Sequence, residues 1–524
     1  MAEQEPVLKR HCWTCIKRRT VCDFTRPKCK KCQKAGVECA GYSEKKPLEW
    51  LEPGRVSSRQ RTKRPSPKPL AGKGQRARSK KSADKDNEAL GFASLEISKK
   101  RSEHIWNERM KMWGECMNSL EAPSPSYLRD ETTEIVQATE FYNNRIYPVM
   151  SRYSLMAQAP YMQPFPMLVL HQLPPTISHS FVGITLGWRF HRQELPTDDI
   201  WPKVYHHRGA MIRDVAEKVS RCDETLEPTT QQQKSTFDVA IVCLLVFATM
   251  EIQYMYSTSV NWRQHMDAMG RLISIRGGIT SLWHETQLVR GALTFFVGIN
   301  TFSGSSSPAS TLAFAEEHPD LPDLPEDLYE GIFCYSLCPT PLFRHIASIN
   351  LLRARIARGT MDVATGKIEA LRLLMRIDAF STQQWMEMRE TKYPKEFTLI
   401  GTVFQAAAVI YCILSLQCLG TLEETQEIRD MRGMYTDLLF DGIEQGLADP
   451  LTRFFMLWPN IVAGVIAGKH RPGTQIWISD TLASLGREHG QSMSILAKAA
   501  LGKFWASGKT TWEDCFTVPY ALSC

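Results

Sequence analysis

From about residue 130 to residue 520, apolar side chains recur at intervals of three and four, and strand-like alternation is scarce. That period lays an apolar stripe along each helix, so the body is predicted to be all helical. Residues 132–147, 239–256 and 262–276 carry the signal best. In the last of these, Met266, Met269, Leu272 and Ile273 share one face, and Gly277-Gly278 supplies a stop. Two runs, 239–250 and 403–419, are nearly continuous in apolar residues. A bilayer span needs about 20 of them. The first run is too short, and Gln405, Ser415 and Gln417 interrupt the second, so both are predicted as buried core helices with no membrane contact.

Residues 43–87 break the pattern. Pro47, Pro53, Pro65, Pro67 and Pro69 interrupt any helix, and Gly, Ser, Lys and Arg dominate the remainder. Such a stretch buries too little apolar surface to offset the entropy of ordering. The predicted organisation is a small head at 11–42, a disordered basic linker at 43–90, and a helical body at 91–524. Inside the linker, Arg61-Thr62-Lys63-Arg64 and residues 76–81 are short basic clusters. Clusters of this kind act as nuclear-localisation or phosphate-binding patches, and a solvated tether is the plainer reading of each. Past the linker, Trp106, Met110, Trp113, Met117 and Leu120 follow a 4-3-4-3 spacing that Pro123 ends after two heptads. A stable dimer coil shows three or four heptads, so this stripe is predicted to pack on the body. A homodimer is possible without being indicated.

Charge sharpens the division. The chain of 524 residues carries a net +7, yet residues 1–85 hold 24 Lys and Arg against 8 Asp and Glu, a balance of +16. The other 439 residues balance at −9. A basic head on a mildly acidic body predicts nucleic-acid contact at one end only.

The chemistry of the head lies in Cys12, Cys15, Cys22, Cys29, Cys32 and Cys39, the pattern C-x2-C-x6-C written twice with the copies seventeen residues apart. Thiolates suit zinc, which takes four tetrahedral ligands. Two ions need eight sulfur contacts, and six cysteines supply eight if two of them bridge. A single site of Cys12, Cys15, Cys29 and Cys32 is the alternative, at the expense of stranding Cys22 and Cys39. A site requiring histidine ligands finds only His11 nearby, outside the repeat. A disulfide knot suits an intracellular chain least. Two dications and six thiolates leave about −2 of formal charge. Lys17, Arg18, Arg19, Lys28, Lys30, Lys31 and Lys34 exceed what that charge needs, and a phosphate backbone is the obvious further partner.

With these residues, and with Pro27 two positions before Cys29, the head resembles the fungal binuclear zinc cluster (Zn2Cys6) transcription factors. The resemblance implies two zinc ions per chain with Cys12 and Cys29 bridging them. It also implies that each half forms a short helix and an extended turn, and that the first helix reads a CGG triplet in the major groove of double-stranded DNA. Arg18 and Arg19 hold the reading positions, where many members have lysine. Arginine meets guanine O6 and N7 through two donors, so the departure fits guanine readout. Lys17 and Lys30 or Lys31 fit phosphates, which set register. Gly41-Tyr42, Lys46-Pro47-Leu48 and Trp50-Leu51 further resemble regulators of the acriflavine-sensitivity control type.

In the body, Phe141-Tyr142-Asn143, Ile146-Tyr147-Pro148 and the stretch from Trp262 to Gly278 resemble the helical regulatory region of one branch of fungal transcription factors. That likeness implies an all-helical body that regulates activity, binds transcriptional co-regulators and is open to sensing a small molecule. No phosphate loop, G-x-S-x-G or H-E-x-x-H is present, so no enzyme is expected. His206-His207 is a neighbouring pair that cannot chelate one metal from one helix face, and His265 is expected to be packed or solvated. The acidic, proline-broken segment 316–330 is expected as a surface loop, with an activation segment as the competing reading. The remaining nine cysteines show no ligand grouping and are expected as reduced, mostly buried thiols. Residues 1–10 are polar, so no secretory signal is expected. The expected function is that of a nuclear, sequence-specific transcription regulator, most simply an activator. A zinc-organised interaction module without sequence-specific binding is the alternative.

Overall fold

The structure, a computed structural model, describes residues 11–18, 20–42 and most of 128–522, apart from 158–162, 195–196, 223–227, 255–260, 319–320, 390 and 469–471. The predicted linker with its basic clusters, Lys46 to Leu51, the stripe from Trp106 to Leu120, and Arg19 lie outside the described residues. The chain divides into two compact units, 1–83 and 84–524.

The first unit contains α1 (Trp13–Arg18) and α2 (Lys30–Lys34), each opening just after the first cysteine of a repeat. Its core is the six cysteines themselves, and among the described residues the hydrophobic side chains packed against them are Phe24 and Tyr42.

In the second unit, α3 (Leu128–Phe141) passes through a π-helical turn (Tyr142–Ile146) into α4 (Tyr147–Met150). The predicted helix 132–147 is thus present with an interruption. Asn143 gives a reason, because its amide brackets the backbone of Phe165, accepting from the N–H at 2.6 Å and donating to the carbonyl at 2.7 Å. The following helices are α5 (Pro175–His191), α6 (Thr197–Ser220), α7 (Gln231–Tyr254) and α8 (Asn261–Ile275). Thr230 and Gln233 start α7 with a reciprocal cap: the Thr230 hydroxyl accepts from the Gln233 N–H and the Gln233 side chain from the Thr230 N–H. Gly277, at φ +92°, ends α8 as the sequence suggested.

Next come α9 (Gly278–Glu285), α10 (Arg290–Ser305), α11 (Ala313–Glu317), α12 (Glu326–Ser336), α13 (Thr340–Ala357) and α14 (Val363–Asp378). After α15 (Thr382–Glu387), α16 (Pro394–Cys418) runs through the middle of the unit and packs on α13, α14, α15, α17 (Gln426–Ala448) and α18 (Leu457–Ile466). The chain closes with α19 (Pro472–His489), α20 (Met493–Ser507) and α21 (Trp512–Cys515). No strand occurs among the described residues.

Burial explains the two apolar runs, with one adjustment. The helical segments Gln231–Gln253 and Pro394–Cys418 are each long and apolar enough to cross a membrane, so the run at 239–250 is not too short once its helix is complete. Their most apolar windows are 78% buried inside the protein, and both helices form core. Segment 316–330 departs further from expectation. It folds into the end of α11, a 3-10 turn (Leu321–Asp323) and the start of α12, and Leu321, Leu324 and Leu328 are buried. Its prolines break helices without keeping its leucines out of the core. His207 is buried, with Nδ1 2.8 Å from His179 Nδ1 and Nε2 3.0 Å from Glu134 Oε2. His265 stacks edge-on against Phe247. None of the thirteen described cysteines forms a disulfide, and Cys334 and Cys418 are only half-buried.

Candidate metal centre and nucleic-acid interface

All six sulfurs of the head converge. Cys12 Sγ lies 3.6 Å from Cys29 Sγ and 3.7 Å from Cys32 Sγ, and Cys15 Sγ lies 3.6 and 3.8 Å from the same two atoms. Sulfurs placed tetrahedrally at about 2.3 Å from one ion stand about 3.8 Å apart, so these spacings fit shared metal ligation. Taken alone, the four atoms also satisfy a single site.

Cys22 and Cys39 decide between the alternatives, because both are buried with the others. The backbone N–H of Cys12 points at Cys22 Sγ (3.5 Å), and that of Cys29 at Cys39 Sγ (3.4 Å). The N–H of Cys15 points at Cys12 Sγ and that of Cys32 at Cys29 Sγ, both at 3.3 Å. Each bond maps onto its mate by the seventeen-residue repeat, so the halves are near-copies meeting at Cys12 and Cys29. No sulfur is stranded, and the donor set fits two ions.

Electrostatics divides the sulfurs into two sets. Burial opposes ionisation of Cys22, yet the Cys12 N–H and the Tyr42 hydroxyl outweigh it and bring the thiol down to about 6. Burial likewise opposes the Cys39 thiolate, and the N–H groups of Cys29 and Gly41 overcome it. Burial prevails at Cys12, at Cys32 and at Cys29, whose thiol rises to about 12. These three thiols therefore depend most on neighbouring cations for their ionised state.

A layer of polar contacts holds the loops, and none of it was evident in the sequence pattern. The Thr14 hydroxyl donates to the Glu38 carbonyl (3.0 Å) and accepts from the Ala40 N–H (2.9 Å). Asp23 accepts from the N–H groups of Thr25 and Lys31 at 3.0 and 2.9 Å, tying the inter-repeat loop to α2. The Tyr42 hydroxyl stands 3.3 Å from Cys22 Sγ and donates to the Thr25 carbonyl at 3.0 Å. His11 takes the Cys22 N–H on Nδ1.

Of the residues expected to meet DNA, Arg18 is exposed at the last position of α1, and Lys30 and Lys31 are exposed in the first turn of α2. Lys17 lies in α1. The symmetry of the cluster makes α1 and α2 equivalent helices, and their exposed cations flank the same sulfurs.

Comparison with known proteins gives two family matches. Residues 10–48 match the fungal Zn(2)-Cys(6) binuclear cluster domain, and residues 138–519 match the fungal specific transcription factor domain. A phomenoic acid biosynthesis cluster-specific transcriptional regulator of Leptosphaeria maculans is 28% identical over 98% of this chain and 89% of its own length. Arginine metabolism regulation protein II of Saccharomyces cerevisiae is 43% identical over 42 residues, which is 8% of this chain and 4% of that protein. No solved structure matches.

Proposed function

For this chain, which belongs to the fungal specific transcription factor family and binds two zinc ions through its cluster domain, we propose a nuclear activator that reads CGG-like triplets. DNA-binding transcription regulation, and not enzymatic catalysis, is the work of this family. The finer reading assigns the bridging role to Cys12 and Cys29, base contacts to Arg18 and Arg19, and phosphate contacts to Lys17, Lys30 and Lys31. The observation that carries it is the two-fold cluster, which presents exposed Arg18 on one short helix and exposed Lys30 and Lys31 on its equivalent. The match to a biosynthesis cluster-specific regulator runs through body as well as head, which supports a biosynthetic gene cluster as the target.

Base reading and backbone positioning separate experimentally. Arg18→Ala and Arg19→Ala will each weaken binding to a CGG duplex far more than to random duplex, by about 1–3 kcal/mol for a lost bidentate contact. Lys31→Ala will weaken both about equally and lower the salt dependence. Fluorescence anisotropy of the full chain on both duplexes across a salt series makes the test. Equal losses on both sequences for the two arginines would return the head to sequence-blind binding.

The acidic body gains no counterion release from DNA, so the proposal has it acting through co-regulators. Residues 91–524 fused to an unrelated DNA-binding domain will raise reporter output above that domain alone. Output no different from the bare domain across growth conditions would count against the activator reading.

A further inference from the structure

The two halves of the cluster are near-copies in their backbone and unlike in what surrounds them. Cys22 and Cys39 hold the same place in the repeat, seventeen residues apart. Each takes the N–H of a cysteine, from Cys12 at 3.5 Å and from Cys29 at 3.4 Å. Each also meets the N–H of the residue two places on, Phe24 and Gly41, which favours its thiolate. Those two residues share a left-handed backbone, at φ +61° and +76°. Glycine takes that conformation freely, whereas a phenylalanine there is uncommon. The Cys22 half therefore keeps its turn at a cost that its surroundings have to offset.

Those surroundings differ from the ones at Cys39. The Tyr42 hydroxyl lies 3.3 Å from Cys22 Sγ and 3.0 Å from the Thr25 carbonyl, so it stands between two acceptors with one proton to give. The rings of Phe24 and Tyr42 pack on the cysteines, and Arg26 sits 5.1 Å over the Tyr42 ring. His11 meets Phe24 edge-on at 4.9 Å and takes the Cys22 N–H. Among the described residues no hydroxyl faces Cys39 Sγ, and the Thr14 hydroxyl bonds the backbone of Glu38 and Ala40 instead. Cys39 is also the most exposed of the six cysteines.

A zinc-bound Cys22 is a thiolate and can only accept. The Tyr42 proton then has a charged acceptor on one side and a neutral carbonyl on the other, and the bond to the charged group is the stronger. Hydrogen bonds to a ligand from outside the coordination shell fix its orientation, and losing one typically costs about 10–100-fold in metal affinity. We propose that Tyr42 is a positioning residue of the metal centre, donating to Cys22 when zinc is bound, and that the two ions are therefore unequal, the ion on Cys39 leaving first and the ion on Cys22 last. The inference rests on the bridging role proposed above for Cys12 and Cys29, which leaves Cys22 and Cys39 on different ions. It is independent of the activator and CGG readings.

The test uses the full chain loaded with two zinc ions and the coloured chelator 4-(2-pyridylazo)resorcinol. The unaltered chain should give up its zinc in two phases of equal size. Alkylation by iodoacetamide, read by mass spectrometry, should reach Cys39 in the first phase and Cys22 in the second. Tyr42→Phe retains the ring and removes only the hydroxyl, and it should speed the slow phase about tenfold or more while leaving the fast phase unchanged. In the cobalt-substituted chain the same change should move the sulfur-to-metal charge-transfer band to lower energy, which a loss of packing alone would not do. If Tyr42→Phe fails to take up zinc, the order of release in the unaltered chain carries the test. Release of both ions at one rate, Cys22 alkylated ahead of Cys39, or a slow phase or band that Tyr42→Phe leaves unmoved would overturn the proposal. One zinc per chain, with Cys22 and Cys39 alkylated before any chelator is added, would instead overturn the bridging assignment and the proposal with it.

Discussion

Cys29→Ser in the full chain will lose both zinc ions, unfold residues 11–42 and reduce binding to a CGG duplex to the level of random sequence. Cys29 Sγ stands 3.6 Å from the sulfurs of both Cys12 and Cys15 and also caps α2 by accepting the Cys32 N–H. If it bridges, its loss takes a ligand from each ion at once. A serine hydroxyl does not replace a thiolate toward zinc. Little apolar packing supports the head otherwise, because among the described residues Phe24 and Tyr42 alone are the hydrophobic side chains packed against the six sulfurs. Structural zinc supplies about 10–16 kcal/mol in such small folds, so losing the metal is losing the fold. Cys15→Ser, which touches one ion in the same reading, should leave more zinc and residual binding. Metal analysis of the purified variants beside anisotropy on the two duplexes decides it. One zinc and intact CGG binding in Cys29→Ser would remove Cys29 from the bridging position.

The cluster was legible because metal ligation writes itself into spacing: a repeat of C-x2-C-x6-C has few other uses. Helix 262–276 was legible for a similar reason, since one side of it faces the core and the period records it, whereas the run at 239–250 was legible from its continuous apolar composition, being buried on nearly all sides. What depends on distant neighbours left no such trace. Tyr42 looks like the first residue of a linker until its hydroxyl is seen between Cys22 and Thr25. Segment 316–330 resembles a loop because its prolines dominate the local pattern, while the partners that bury Leu321 and Leu328 come from elsewhere in the chain. A cavity of about 760 Å³ along α8 is the clearest case. Arg263, Asp267 and Arg271 at four-residue intervals have the look of a solvated helix face, and only the placement of α11 opposite them makes a cavity. Arg353 belongs to the same class, with carbonyl and carboxylate partners that lie 46 to 160 residues away.

Arg353→Met should therefore be among the most damaging single changes in the body, by about 3–5 kcal/mol. The side chain is fully buried on α13 and holds together three segments. One terminal nitrogen donates to the Gly304 carbonyl at 3.0 Å and the Tyr411 hydroxyl at 2.8 Å, and the other to the Ser307 carbonyl at 2.8 Å and Glu513 Oε1 at 2.6 Å. The Tyr411 hydroxyl donates to Asn350 Oδ1, and the Asn350 amide donates to the Thr301 carbonyl. Glu513 also accepts the Ala309 N–H, so the network fixes α21 to the turn after α10. Methionine fills much of the volume but leaves two carbonyls and a carboxylate without the donor that justified burying them. Glu513→Gln should cost less, since the carboxylate is partly exposed and the amide retains an acceptor for Arg353. In the double variant Arg353→Met, Glu513→Gln, the costs should fall short of additivity, because one interaction is removed twice. Urea unfolding followed by tryptophan fluorescence makes the measurement, and Trp512, 4.9 Å from Tyr411 and donating to the Ser305 carbonyl, places one of the chain's 13 tryptophans at this site. Zinc content should not change, since the six cysteines belong to the other unit. An unfolding midpoint for Arg353→Met equal to that of the unaltered chain would show that the buried guanidinium contributes nothing net, and that α21 is held by its apolar contacts alone.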